Sequence, residues 1–136
     1  MISATEMKTA FPHVEAGVHP LGARVLVQLR MVRGRTDAGI VLVEDTRAFN
    51  KSLAQVAKVI ELGPLAYRNR ETMDRWPEGT WAEPGAYVRV PKYGGDRFER
   101  DIPDSKEETV IFCIFNDHEI IAKVDLEAFS AIDEIR

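Results

Sequence analysis

The stretch Ala23–Val32, "ARVLVQLRMV", carries the reading on which the fold turns. Val25, Val27, Leu29 and Met31 fall on one side of an extended chain, and Leu26, Gln28 and Arg30 on the other. Side chains of a strand alternate between faces, so this period of two predicts a half-buried β-strand. The same logic carries to "AQVAKVIELG", where Val56, Lys58 and Ile60 oppose Ala57, Val59 and Glu61 before Gly63-Pro64 ends the pattern. "GAYVRVPK" reads as a third strand between Pro84-Gly85 and Tyr93-Gly94-Gly95. "TVIFCIF" and "EIIAKV" supply the fourth and fifth, joined at Asn116-Asp117-His118, whose first two residues are turn formers. Short strands with turn signals at this spacing predict an all-β domain, a small barrel or a sandwich. Beyond Asp125, a credible N-cap, Leu126, Phe129 and Ile132 recur every three residues and predict a short amphipathic helix over 126–136.

The chain has 136 residues, a length for one domain with a core that needs no disulfide support. Its one cysteine, Cys113, lies in "VIFCIF" and reads as a small buried apolar residue. The first residues, "MISATEMKTAFPHVEAGV", have one Lys and no continuous apolar run, which does not read as a signal peptide. No run approaches the ~18–20 apolar residues of a membrane span. These features predict a soluble, cytoplasmic protein with no membrane partner. A net charge of −4 argues against a nucleic-acid partner, which usually needs a basic face. Arg68, Arg70 and Arg75 beside Trp76 and Trp81 are the only local hint of one.

Catalytic constellations are missing. The sequence has no G-x-S-x-G, no P-loop, no H-E-x-x-H and no paired cysteines. His13, His19 and His118 stand in unrelated contexts. "NDHE", Asn116 to Glu119, reads as a polar hairpin tip rather than an acid–base cluster. "YGGD" resembles a phosphate cradle only superficially, because no helix pattern follows it. The expectation is a non-enzyme with no catalytic residues, no metal site and no cofactor.

Two segments interrupt the strands. "LAYRNRETMDRWPEGTWAEP" is long, polar and carries both tryptophans, Trp76 and Trp81. It reads either as a functional loop or as a hairpin around Pro77-Glu78-Gly79 with the indoles packed across it. "TDAGIVLVEDTRAFNKS", Thr36 to Ser52, sets the apolar run Ile40–Val43 among Gly, Asp, Thr, Asn, Ser and charges. On composition alone a buried strand and an exposed loop are about equally good readings, although such flanks bury too little to offset ordering.

The succession "HPLGARVLVQL", "AGIVLVED", "AKVIELGP", "PGAYVRVPKYGGDRF" and "IFNDHEIIAKVD" resembles the co-chaperonins of the GroES family over roughly residues 18–125. The most specific pieces are Gly39-Ile40-Val41-Leu42 and Tyr93-Gly94-Gly95. The resemblance implies a small GroES-like β-barrel over 18–125, flanked by an N-terminal extension (1–17) and a C-terminal helical extension (126–136). It implies a mobile loop at about 33–52 and a roof segment at about 66–84 that carries Trp76 and Trp81 over the axis of a heptameric ring. Gly39, Ile40, Val41 and Leu42 would be the chaperonin-binding residues, docking into an apolar groove of a GroEL-type chaperonin. ATP would be bound and hydrolysed by that partner, and the ring would cap its folding chamber. The subunit interface would pair Arg24, Val25, Leu26 and Val27, within Arg24–Leu29, with Ile120, Ile121 and Val124 of a neighbouring copy. Ala38 stands where the family usually has a second glycine, which implies a stiffer loop.

The length at both ends resembles the enlarged co-chaperonins encoded by bacteriophages, which serve host chaperonins folding viral capsid protein. The compartment would then be the host cytoplasm. The competing expectation is a virion structural or assembly protein that uses the same barrel without capping.

Overall fold

A computed structural model describes residues 11–31, 55–103 and 109–125. The expected loop tripeptide and the expected helix over 126–136 lie outside the described residues, as do the first ten residues. Among the described residues the protein is all-β: β1 (Arg24–Leu29), β2 (Val56–Leu62), β3 (Tyr87–Arg89), β4 (Asp96–Asp101), β5 (Thr109–Asn116) and β6 (Ala122–Lys123). They form one antiparallel six-stranded sheet in the order β4-β5-β1-β2-β3-β6. The sole helical element among the described residues is a short 3₁₀ turn, Asp117–Glu119, and no helix there is long and apolar enough to cross a membrane.

β1 lies inside the sheet. It pairs with β2 on one edge (Leu29↔Ala57) and with β5 on the other (Val27↔Cys113). A register shift between Leu26 and Val27 leaves Ile60 of β2 as the extra residue of a bulge, which bends the pair. On one face Val25, Val27 and Leu29 join Ala57, Val59, Val88, Cys113 and Phe115 in the larger core cluster.

The other face corrects the half-buried expectation. Leu26, Gln28 and Arg30 are also buried, Arg30 to 1 % exposure, and residues 11–16 run across Leu26 and Gln28. Val14 and Ala16 form a second cluster with Leu26, Met31, Val110 and Phe112. Two side chains on this face bond to the covering segment: Gln28 Nε2 donates to the Pro12 carbonyl (2.9 Å), and Arg100 Nε donates to that of Ala16 (2.8 Å). A buried amide left without such a partner costs about 1–3 kcal/mol, so these bonds fix the path of the covering segment. Residues 11–16 are thus packed onto the sheet. Met31 sits with Leu26 rather than Val25, because regular alternation stops when the strand ends at Leu29.

β4 was not among the expected strands. Its sequence, "DRFERD", has one apolar residue, Phe98, which stacks on Phe112 of β5 (5.6 Å between ring centroids). Position explains the composition: β4 closes one side of the sheet, where charge is tolerated and discourages unwanted strand pairing. The chain enters it through Gly94 and Gly95, both at positive φ (94° and 72°). A Cβ at Gly95 would collide with Cys113 Sγ and the Phe115 ring, so the turn requires glycine twice over.

Candidate functional site

The root of the 32–54 connection is well defined. Arg30 N–H donates to the Val56 carbonyl (2.8 Å), so the chain leaves β1 and re-enters β2 at adjacent points on one end of the sheet. Gly39, Ile40, Val41 and Leu42 belong to this connection and lie outside the described residues.

The expected interface residues have definite places. Arg24 is exposed at the start of β1, whereas Val25, Leu26 and Val27 are buried within a single chain. Both edges of β1 are hydrogen-bonded in the same chain, which corrects the expected pairing of Arg24–Leu29 with a neighbour: no edge is left to offer. Its expected counterpart differs. Ile121 N–H donates to the Arg89 carbonyl and Val124 N–H to that of Tyr87, which ties this segment to β3 by one side. Ile120 is buried in the larger cluster, while Ile121 is 57 % exposed beside a groove of about 290 Å³ formed with Glu78, Thr80 and Trp81.

The expected roof segment is built on one residue, Tyr67. Tyr67 is fully buried at φ 60°, a left-handed conformation that costs an L-residue about 1–2 kcal/mol. Its backbone N–H donates to Asp117 Oδ2 (2.9 Å), and Trp76 N–H donates to its carbonyl (3.2 Å). The Tyr67 ring meets Trp76 edge-on at 5.2 Å and Trp81 at 5.7 Å, and the two indoles meet at 4.9 Å. All three pack on the larger core cluster, with Ala82 fully buried beside them. The tryptophans therefore wedge the segment onto the sheet.

The segment's hairpin turns at 69–74 instead of Pro77-Glu78-Gly79. Asn69 Oδ1 accepts from the N–H groups of Glu71 (2.8 Å) and Thr72 (3.2 Å), Arg68 bridges to Arg75, and Met73 takes φ 65°. This side-chain turn is the known preference of Asn. Pro77-Glu78-Gly79 forms a separate turn, closed by Gly79 N–H to the Trp76 carbonyl (2.8 Å).

"NDHE" is not a hairpin tip. β5 pairs with β1 and β4, and β6 with β3, so the segment crosses from one part of the sheet to another as a 3₁₀ turn. Asp117 is 3 % exposed: its N–H donates to the Ala23 carbonyl (2.9 Å) and its carboxylate holds Tyr67. Nothing in the sequence marks Asp117 as buried, because its partner is a backbone amide 50 residues away.

The chemistry within reach is limited. Cys113 is fully buried, and burial pushes its thiol up to about 12. A neutral, inaccessible thiol is no nucleophile. The Tyr67 hydroxyl is likewise raised to about 12, by burial first and by the Asp117 carboxylate second, and finds no hydrogen-bond partner. His118 Nδ1 lies 3.6 Å from Asp117 Oδ1, whose carboxylate is already committed to the Tyr67 amide. Among the described residues no three of His, Cys, Asp and Glu gather into a metal-binding set.

Fold and site together define an all-β protein whose distinctive parts are a long connection between two paired strands and an aromatic segment wedged onto the sheet. No protein-family model matches the chain, and no curated protein matches it in sequence.

Proposed function

We propose that the chain is a co-chaperonin of the GroES type, a barrel-forming subunit of a ring that caps a GroEL-type chaperonin through Ile40, Val41 and Leu42. The observation that carries this reading is the placement of the 32–54 connection. Its two ends are held together where β1 and β2 pair, at Arg30 and Val56. The order of the family-like blocks adds support, as do the two positive-φ glycines that follow Tyr93.

The energetics suit a reversible cap. Burying Ile, Val and Leu in a partner's groove contributes on the order of 1.5–3 kcal/mol each, about 5–9 together. Ordering the backbone around them costs about 1–2 kcal/mol per residue, so roughly half a dozen ordered residues consume most of the gain. Each loop then binds weakly, and a ring of such loops binds well through avidity. Movement of the grooves during the partner's ATP cycle would release them together. Ring contacts in this proposal use the one-sided segment Ile120–Val124 and not β1. A capping role in folding a viral capsid protein belongs to the same proposal.

The test is nucleotide-dependent association. Mixed with a GroEL-type chaperonin and ATP, the chain should form a complex that changing Ile40, Val41 and Leu42 to Ser abolishes while leaving the chain's own assembly intact. Loss of the fold in that variant would instead place the tripeptide in the core. A virion component of the same fold would show no nucleotide-dependent binding.

A further inference from the structure

β4 ends the sheet, and among the described residues its outer edge has no backbone partner. Such an edge can accept another strand. Its sequence limits which one. When two copies of a strand pair antiparallel about a two-fold axis, the axis stands perpendicular to the sheet and both faces are preserved. Some residue must then lie opposite its own copy. Phe98 is the one uncharged residue among Asp96, Arg97, Phe98, Glu99, Arg100 and Asp101. Centring the pair on any other residue of β4 places a charge against itself on the axis, which is unfavourable.

Centring it on Phe98 sets Asp96 opposite Arg100 of the second copy, Arg97 opposite its Glu99, and the reverse of each. The charge sequence minus, plus, neutral, minus, plus is its own antiparallel complement. We infer that β4 is an isologous contact: two copies of this chain pair through Asp96–Arg100 about a two-fold axis at Phe98, joining their sheets into one.

The conformations already present favour this. Asp96 and Glu99 are exposed. Arg100 is fixed over the Phe98 ring (4.7 Å) by its bond to the Ala16 carbonyl, on the face that Asp96 shares. Arg97 is held on the other face by the carbonyls of Pro91 and Lys92, where Glu99 of the second copy would meet it. Tyr93, 69 % exposed just before β4, adds apolar surface at the end of the contact. The pairing is two-fold, so it is distinct from the heterologous contacts of a ring and does not rest on the capping proposal.

Two measurements on the full chain, without any chaperonin, test it. In sedimentation equilibrium, Asp96→Lys combined with Glu99→Lys puts like charges at each charged pair and should weaken association at this contact roughly tenfold or more. Both sites are exposed, so circular dichroism should show the fold unchanged. Mixing that variant with one carrying Arg97→Glu and Arg100→Glu should restore a mixed pair. In the second measurement, Phe98→Cys should give a disulfide-linked pair of chains under mild oxidation, since Cys113 is buried and does not compete. Asp101→Cys, which lies off the axis, should not. Unchanged association in the lysine variant, or equal linking at 98 and 101, would overturn the contact.

Discussion

β1 and β4 are each six residues long and each pair with β5, yet they hold opposite positions in the sheet. β1 has partners on both edges and cover on both faces, and five of its six residues are buried. Among the described residues β4 has one paired edge, and none of its own residues is fully buried. The alternation of β1 reports two faces but cannot report that a second layer, residues 11–16, covers the outer one. The charges of β4 hide a strand that its place at the sheet's side makes acceptable. Hydrophobic patterning therefore measures the environment of faces, and says nothing of edges.

The largest effect that would break this comparison lies on the covered face of β1. Leu26→Ala should cost about 2–5 kcal/mol by chemical denaturation, as for a closely packed core leucine. A cost near zero would mean that residues 11–16 do not seal that face. Next comes the entry to β4. Gly95→Ala combines a left-handed alanine, about 1–2 kcal/mol, with overpacking against Cys113 and Phe115, about 1–3 kcal/mol. Retained stability would show that β4 is not anchored by that turn.

Asp117→Ala strands the buried Tyr67 amide and should cost about 1–3 kcal/mol, while Asp117→Asn, which keeps an acceptor, should recover most of it. Tyr67→Phe should be close to neutral, since the hydroxyl has no partner to lose. Were Asp117→Ala harmless, the aromatic segment would be held by its rings alone.

The buried thiol and phenol set a pH dependence. Cys113 and Tyr67 are both raised to about 12 in the fold, from ordinary values of 9.0 and 10.0. The unfolded chain loses these protons first, so their contribution is full below pH 9 and is lost as pH climbs towards 12. Denaturation midpoints should fall steadily across that range, and Cys113 should resist thiol reagents at pH 8 while folded. The smallest effect belongs to β4: Glu99→Gln should change the stability of a single chain by less than about 0.5 kcal/mol.

Much of the sheet is legible in the sequence. β1 and β2 carry period-two apolar residues and β5 a continuous apolar run, while Gly63-Pro64 ends β2 and Pro84-Gly85 precedes β3. β6 shrinks to Ala122–Lys123 because Ile120 turns inward and only a short stretch reaches β3. The site is less legible. Asp117 and Tyr67 meet across 50 residues through a backbone amide, a contact with no signature in residue type. Asn69 did carry one: a side-chain turn followed by Arg-Glu-Thr could have placed the hairpin at 69–74 rather than at Pro77-Glu78-Gly79. The implied pairing of β1 with a neighbouring copy fails because β2 and β5, distant in sequence, take both of its edges.

The capping proposal meets its most direct test in native mass spectrometry of the chain with a GroEL-type chaperonin, with and without ATP. The expected result is a capped complex that needs nucleotide and disappears when Ile40, Val41 and Leu42 are changed to Ser. A chain that never joins the chaperonin, or a triple-serine variant that joins it as well as the parent, would contradict the proposal.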